Sequence, residues 1–175
     1  MVNSLSGEGY VKIDVKNNEI VGYNAKGGGW RNSIPSPFAG NLEKAEEVIK
    51  SGYWMWNNWG IEPEEIDYST AEVLNPAYLL RPELIESTYY LWKLTGDNKY
   101  RDRVYNMFND IKRSCRCENG YTRVKNVLTG EKDNLMDSFF LAETLKYIYL
   151  IFDDSRLNFD NVIFNTEAHP FIIQY

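Results

Sequence analysis

The chain has 175 residues, a net charge of −6, five Trp and thirteen Tyr. That length suits one compact domain able to bury a real core, and the aromatic content excludes a disordered chain. Scattered Lys and Arg in an acidic chain exclude a nucleic-acid partner, which needs a clustered basic face, and no apolar run approaches the roughly 18 residues of a membrane span.

The opening "MVNSLSGEGYVKIDV" has neither a basic flank nor an apolar run, so it is not expected to be a signal peptide. Its second half alternates: Tyr10, Lys12 and Asp14 face one way, Val11, Ile13 and Val15 the other. "KNNE" then turns and Ile20 to Tyr23 returns, which predicts a hairpin. Residues 25–40, "AKGGGWRNSIPSPFAG", are loop by their Gly, Pro and Ser content. Asn41 is placed to cap a helix through "LEKAEEVIKSGYWMWNNW", with Leu42, Ala45, Val48, Ile49 and Tyr53 as its apolar stripe.

A second helix opens at Pro82, a favoured first position, and ends near Gly96. A third runs through "NKYRDRVYNMFNDIKRSC". A fourth, "LMDSFFLAETLKYIYLIF", is apolar on nearly every side and predicts an inner helix with little solvent face. A last strand follows, mixed with the polar stretch "NTEAHP". The expected class is all-α, with paired helices and short hairpins between them. Cys115 and Cys117 make neither a disulfide framework nor a zinc site and read as two free thiols.

Several acids stand in unusual surroundings. Glu83 and Glu86 share a face at the start of the second helix beside Arg81, with Leu84, Thr88, Leu91 and Trp92 on the opposite, core-facing stripe. Acids in a first turn are favoured by the helix dipole, so this is either ordinary capping charge or a site. Glu143 lies in an apolar helix between Phe139, Phe140 and Tyr147; it must be paired, with Lys146 as the available cation, or must face a polar cavity. Thr166 offers a hydroxyl and a carbonyl next to Glu167, oxygens of the kind a hard cation such as calcium takes, or simply a polar turn. His169 has no second histidine, and no nucleophilic triad can be built on it.

Three long segments, "LLRPELIESTYYLWKLTGDNKYRD", "DSFFLAETLKYIYLIF" and "FNTEAHP", resemble in this order the closing motifs of family 47 glycoside hydrolases, the class I α-1,2-mannosidases. "GIEPEE" (60–65) is similar to that family's Gly-Leu-x-Pro-Glu segment. "LRPELIEST" and "RNSIPSPFAGNLEKA" look closer to the degradation-enhancing branch than to the Golgi trimming enzymes.

The resemblance implies the C-terminal part of an (α/α)7 barrel, residues 1–175 lacking the upstream repeats, with short hairpins and a terminal plug strand. It implies Thr166 as calcium ligand and Glu83 as general base. Arg81, Glu86, Phe139, Glu143, Glu167 and, in the same water shell, Glu64 would line the terminal mannose site. The partner would be a high-mannose glycan or glycoprotein, in the secretory pathway or outside the cell. The missing N-terminal part of the barrel would be a further partner.

Departures are equally visible. Family domains are longer, and their general acid comes from upstream repeats. The histidine that many members carry before Phe-x-Gly-Gly is absent from "IPSPFAG", and "MDS" stands where "MES" is commoner. The alternatives are a non-catalytic mannose- or glycoprotein-binding module, or a truncated inactive fragment.

Overall fold

The structure is a computed structural model that describes residues 10–14, 19–24, 42–67, 70–158 and 161–173. The predicted loop over 25–40 and the cap at Asn41 lie outside those residues. Strands β1 (Tyr10–Asp14) and β2 (Glu19–Asn24) pair antiparallel, as the alternation predicts.

Four α-helices follow among the described residues, three of them with the expected bounds. Helix α1 (Leu42–Trp59) buries Ala45 and Ile49 of the predicted stripe, leaves Leu42 exposed, and extends its buried face to Met55 and Trp56. Helix α2 (Glu83–Thr95) begins after Pro82. It closes on Gly96 at φ 67°, whose N–H donates to the Trp92 carbonyl at 2.8 Å. That left-handed closure is one only glycine makes without a Cβ penalty. The next residue, Asp97, starts α3 (Asn98–Cys115) by accepting from the Lys99 N–H at 2.9 Å. One Gly–Asp pair therefore ends one helix and begins the next.

Helix α2 packs against α1, α3 and α4 (Leu145–Phe152), and so lies at the centre of the described body. Its contact with α1 is close. A β-carbon on Gly52 would meet a Leu84 methyl at 2.6 Å, which explains a glycine in the middle of a helix.

The fourth helix differs from the expectation. Leu135 and Met136 are exposed and non-helical, and helical backbone begins only at Ser138. The cause lies in residues 122–124. The Arg123 N–H donates to the Leu135 carbonyl, its carbonyl accepts from Asp133, and its side chain forms an ion pair with Asp137. Residues 133–137 are thus held extended and cannot wind into a first turn. Phe140–Thr144 then form a π-helix, in which the Leu145 N–H reaches the Phe140 carbonyl, before α4 proper. Nor is this helix without a solvent face: Leu141 is 58 % exposed and Tyr149 49 %.

The other described strands also form two-stranded hairpins. These are β3 (Glu65–Asp67) with β4 (Glu72–Asn75), β5 (Arg116–Cys117) with β6 (Gly120–Tyr121), and β7 (Val124–Asn126) with β8 (Glu131–Lys132). The predicted last strand is β9 (Val162–Phe164), and it turns back as β10 (Pro170–Ile172). Three described non-glycine residues take left-handed backbone: Ala71 in the exposed β3–β4 turn, and Leu80 and Ala168, both buried. Such residues cost roughly 1–3 kcal/mol each and persist only where surrounding contacts hold them.

Candidate active site

One half of the site is built where the chain enters α2. The segment from Gly60 to Glu64 is laid over that entrance, with the Glu64 N–H on the Ala77 carbonyl at 2.8 Å. Arg81 meets Glu64 in a fork, Nε to Oε1 at 2.7 Å and Nη2 to Oε2 at 2.7 Å. This is the planar two-point geometry for which guanidinium is suited. The same guanidinium lies 3.8 Å from a Glu83 oxygen. These contacts hold the Arg81 proton more firmly than usual, the hydrogen bond to Glu64 contributing most. One turn on, Glu86 accepts from the Tyr147 hydroxyl at 3.0 Å. Burial raises its pKa, the Tyr147 bond opposes this, and Glu83 adds to it.

Glu62 belongs to the same segment, yet it is only 5 % exposed, and among the described residues its Oε2 has no hydrogen-bond partner. Burial, then the charges of Glu83 and Glu64, push its pKa up to about 8 against the pull of Arg81. At neutral pH this carboxyl keeps its proton, because ionising it bare would cost too much.

The other half comes from the π-helix and the last hairpin. Glu143 sits inside Phe140–Thr144 and is 7 % exposed. Burial first, then Glu167, Glu86 and Glu83, raise its pKa to about 7, and Lys146 offsets this only weakly. Lys146 does not form the ion pair considered from sequence. Its ammonium donates to the Ala168 carbonyl at 2.6 Å, and burial lowers its pKa while Glu143 raises it.

The β9–β10 turn is shaped by Asn165, whose Oδ1 accepts from the Glu167 N–H at 3.0 Å and the His169 N–H at 2.9 Å. That turn leaves Thr166 and Glu167 exposed. His169 is exposed too, and enters the turn through its backbone.

The predicted site residues are therefore gathered to different degrees. Arg81, Glu64 and Glu83 are in contact, Glu83 raises the proton affinity of Glu86, and Glu167, Glu86 and Glu83 raise that of Glu143. Phe139 is half-buried and immediately precedes the π-helix. Sequence reasoning missed Glu62, Thr144 and the true partner of Lys146. For Glu62 the sequence offered half a signal, an acid between Ile61 and Pro63; that Arg81 goes to Glu64 is a tertiary choice.

Residues 17–173 match the family described as Glycosyl hydrolase family 47. The chain belongs to glycosyl hydrolase family 47. Among its relatives, a mannosyl-oligosaccharide 1,2-alpha-mannosidase of Arabidopsis thaliana is 53% identical over 93 residues, which cover 53% of this chain and 17% of that protein. A mannosyl-oligosaccharide 1,2-alpha-mannosidase of Caenorhabditis elegans is 41% identical over 136 residues, covering 72% of this chain and 23% of that one.

The solved alpha-1,2-mannosidase from Trichoderma reesei superposes with a TM-score of 0.68 at 30% identity, over 81% of this chain and 36% of that one. The family 47 fold is an (α/α)7 barrel, and these helices and hairpins form part of one. The chain spans under a quarter of the length of the two curated relatives.

A cation fits the residues present in one way. No three or more His, Cys, Asp or Glu among the described residues come together as a cage, so a metal would rest on neutral oxygens and water. Thr166 has oxygens of that kind: it is exposed in the turn, and neither its hydroxyl nor its carbonyl bonds another described residue. Glu167, Glu86 and Glu83 all disfavour the charge of Glu143, which has no guanidinium of its own among the described residues, and a bound positive charge would relieve that.

Proposed function

We propose that this chain is the base-bearing and sugar-gripping part of a calcium-dependent, inverting hydrolase of terminal α-1,2-linked mannose on high-mannose glycans. The observation that carries it is Glu83, fixed at the first turn of α2 beside Arg81 and within electrostatic reach of Glu86 and Glu143. Inversion needs a base to activate water and an acid on the leaving oxygen, roughly 6.5–9.5 Å apart. A helix N-terminus and a guanidinium both favour the ionised carboxylate that a base must be.

Glu86, Glu143 and Glu167 then grip sugar hydroxyls, Arg81 and Glu64 fix the approach to the base, and Phe139 offers a ring face to the pyranose. When bound, calcium on Thr166 would hold sugar hydroxyls and the attacking water in place. The leaving-group acid comes from barrel repeats outside these residues. The degradation-enhancing branch is supported by the sequences "LRPELIEST" and "RNSIPSPFAGNLEKA".

The test is release of mannose from an α-1,2-linked disaccharide. The 175-residue chain alone gives none, and a polypeptide that also carries the remaining repeats does. Mannose release by the chain alone, abolished by a chelator, would overturn the division of labour. A second reading, a mannose-binding module, is favoured by the concentration of gripping residues in this chain. It predicts sugar binding without turnover even in the completed protein.

A further inference from the structure

Two buried left-handed residues flank the site, one in each half. Leu80 immediately precedes Arg81, and Ala168 immediately follows Glu167. Left-handed backbone at a leucine or an alanine does not hold itself and needs an outside grip. In both cases that grip is a side chain from one short stretch of the fourth helix. The Thr144 hydroxyl donates to the Leu80 carbonyl at 2.7 Å, and the Lys146 ammonium donates to the Ala168 carbonyl at 2.6 Å.

Between them, Tyr147 donates to Glu86 from one side and packs edge-on against Phe164 at the hairpin's base, ring centroids 5.8 Å apart. The hairpin has little else to fix it on its outer face, where Ile163, Phe171 and Ile172 are all exposed. The π-helix ends at Thr144, so the two donors straddle the point where helical phase changes.

We propose that Thr144 and Lys146 are positioning residues. From one turn of helix they fix the two strained turns that carry Arg81–Glu83 and Thr166–Glu167, and so set the register of the two halves of the site. Neither touches substrate. Each acts through the carbonyl it holds, Thr144 on the base half and Lys146 on the cation half. The second role rests on the proposed calcium site at Thr166.

The experiment uses the 175-residue chain and two readouts, amide hydrogen exchange and calcium titration. Lys146→Met keeps the stem and loses the donor. It should speed exchange at the Glu167 and His169 amides, leave the Glu86 amide unchanged, and weaken calcium binding by about tenfold or more, the usual worth of a charge-assisted hydrogen bond. Thr144→Val, nearly isosteric, should do the converse: faster exchange at Glu86, which bonds the Pro82 carbonyl, with the hairpin turn and calcium affinity unchanged. Lys146→Arg and Thr144→Ser keep a donor and should restore wild-type behaviour.

A purely structural role would loosen both turns together in either variant, and that result overturns the proposal, as does unchanged exchange in both. Faster exchange at Glu167 with unchanged calcium affinity overturns the functional half. If the wild type binds no calcium, the calcium reading of Thr166 falls, while the exchange comparison still decides the positioning role. Should Lys146→Met fail to fold, Lys146→Gln, a shorter neutral donor, carries the same comparison with a smaller expected effect.

Discussion

The two halves of the site handle negative charge in opposite ways. At the entrance to α2, Arg81 is built in, forked onto Glu64 and within 3.8 Å of Glu83. In the π-helix and last hairpin, Glu143 and Glu167 face each other's charge, and the one nearby ammonium, Lys146, is spent on a backbone carbonyl. The first half carries its own guanidinium, and the acid that Arg81 does not bond, Glu62, keeps its proton. The second is short of positive charge, and the proton that Glu143 holds up to about pH 7 is how the protein alone relieves it.

The sharpest way to break this contrast is to neutralise one acid from each half in a protein that carries the remaining repeats. Glu83→Gln should lose about 10²–10⁴ in kcat with near-normal affinity for a sugar analogue, because a base acts chiefly in the transition state. Glu143→Gln should weaken analogue binding as well as rate. Near wild-type turnover by Glu83→Gln, measured per folded molecule, would remove the base assignment.

Arg81→Met tests whether the first half is truly self-compensated. It leaves Glu64, whose side chain is 11% exposed, without its cation. Unfolding in urea should show a loss of about 2 kcal/mol, below the ~3–5 kcal/mol of a fully buried pair because this one is half-buried. Arg81→Lys should recover only part, having no fork.

Thr166→Val probes the other half. Calcium at ~100 times its Kd should stabilise the wild type by about 2.7 kcal/mol and the variant by clearly less. Equal shifts in melting temperature would take the cation away from Thr166.

At Glu62 the expected effect depends on pH. Its folded pKa, about 8, lies above its ordinary 4.5, so the unfolded chain gives up the proton first as pH rises. Stability should therefore fall between about pH 4.5 and pH 8 and level off beyond. Glu62→Gln imitates the protonated acid and should gain on the wild type across that window. A variant advantage equal at pH 5 and pH 8 would mean that Glu62 is already ionised in the folded protein.

Much of the helical frame was legible, and for local reasons. The Gly96–Asp97 break and the long amphipathic stripes are properties of neighbouring residues, and α1 to α3 follow from them. The helix through Phe140 was misread at its start because Arg123, distant in sequence, holds residues 133–137 extended, and no local pattern announces that.

The acids divide the same way. Glu83, Glu86 and Glu143 were conspicuous against their immediate neighbours, whereas Glu62 required knowing that Glu64 takes the arginine. Lys146 sits three residues from Glu143, the spacing at which an α-helix brings side chains together, and so invited a pairing that the structure replaces with a bond to Ala168. Tertiary contacts made those choices.

The π-helix over Phe140–Thr144 makes residue number, more than residue type, the sensitive variable in this stretch. Each residue of an α-helix advances about 100° around the axis, and an i→i+5 closure accommodates an extra residue in the turn. Leu141, inside it and exposed, should accept most substitutions with little consequence. Deleting Leu141 changes the composition by one leucine and still leaves helix-forming sequence on both sides. It would nonetheless swing Lys146 and Tyr147 about a quarter-turn relative to Phe139, so that the hairpin and the acids of α2 no longer share an address. In this segment insertions and deletions should be far less tolerated than point changes, a signature that aligned relatives would show as an ungapped block.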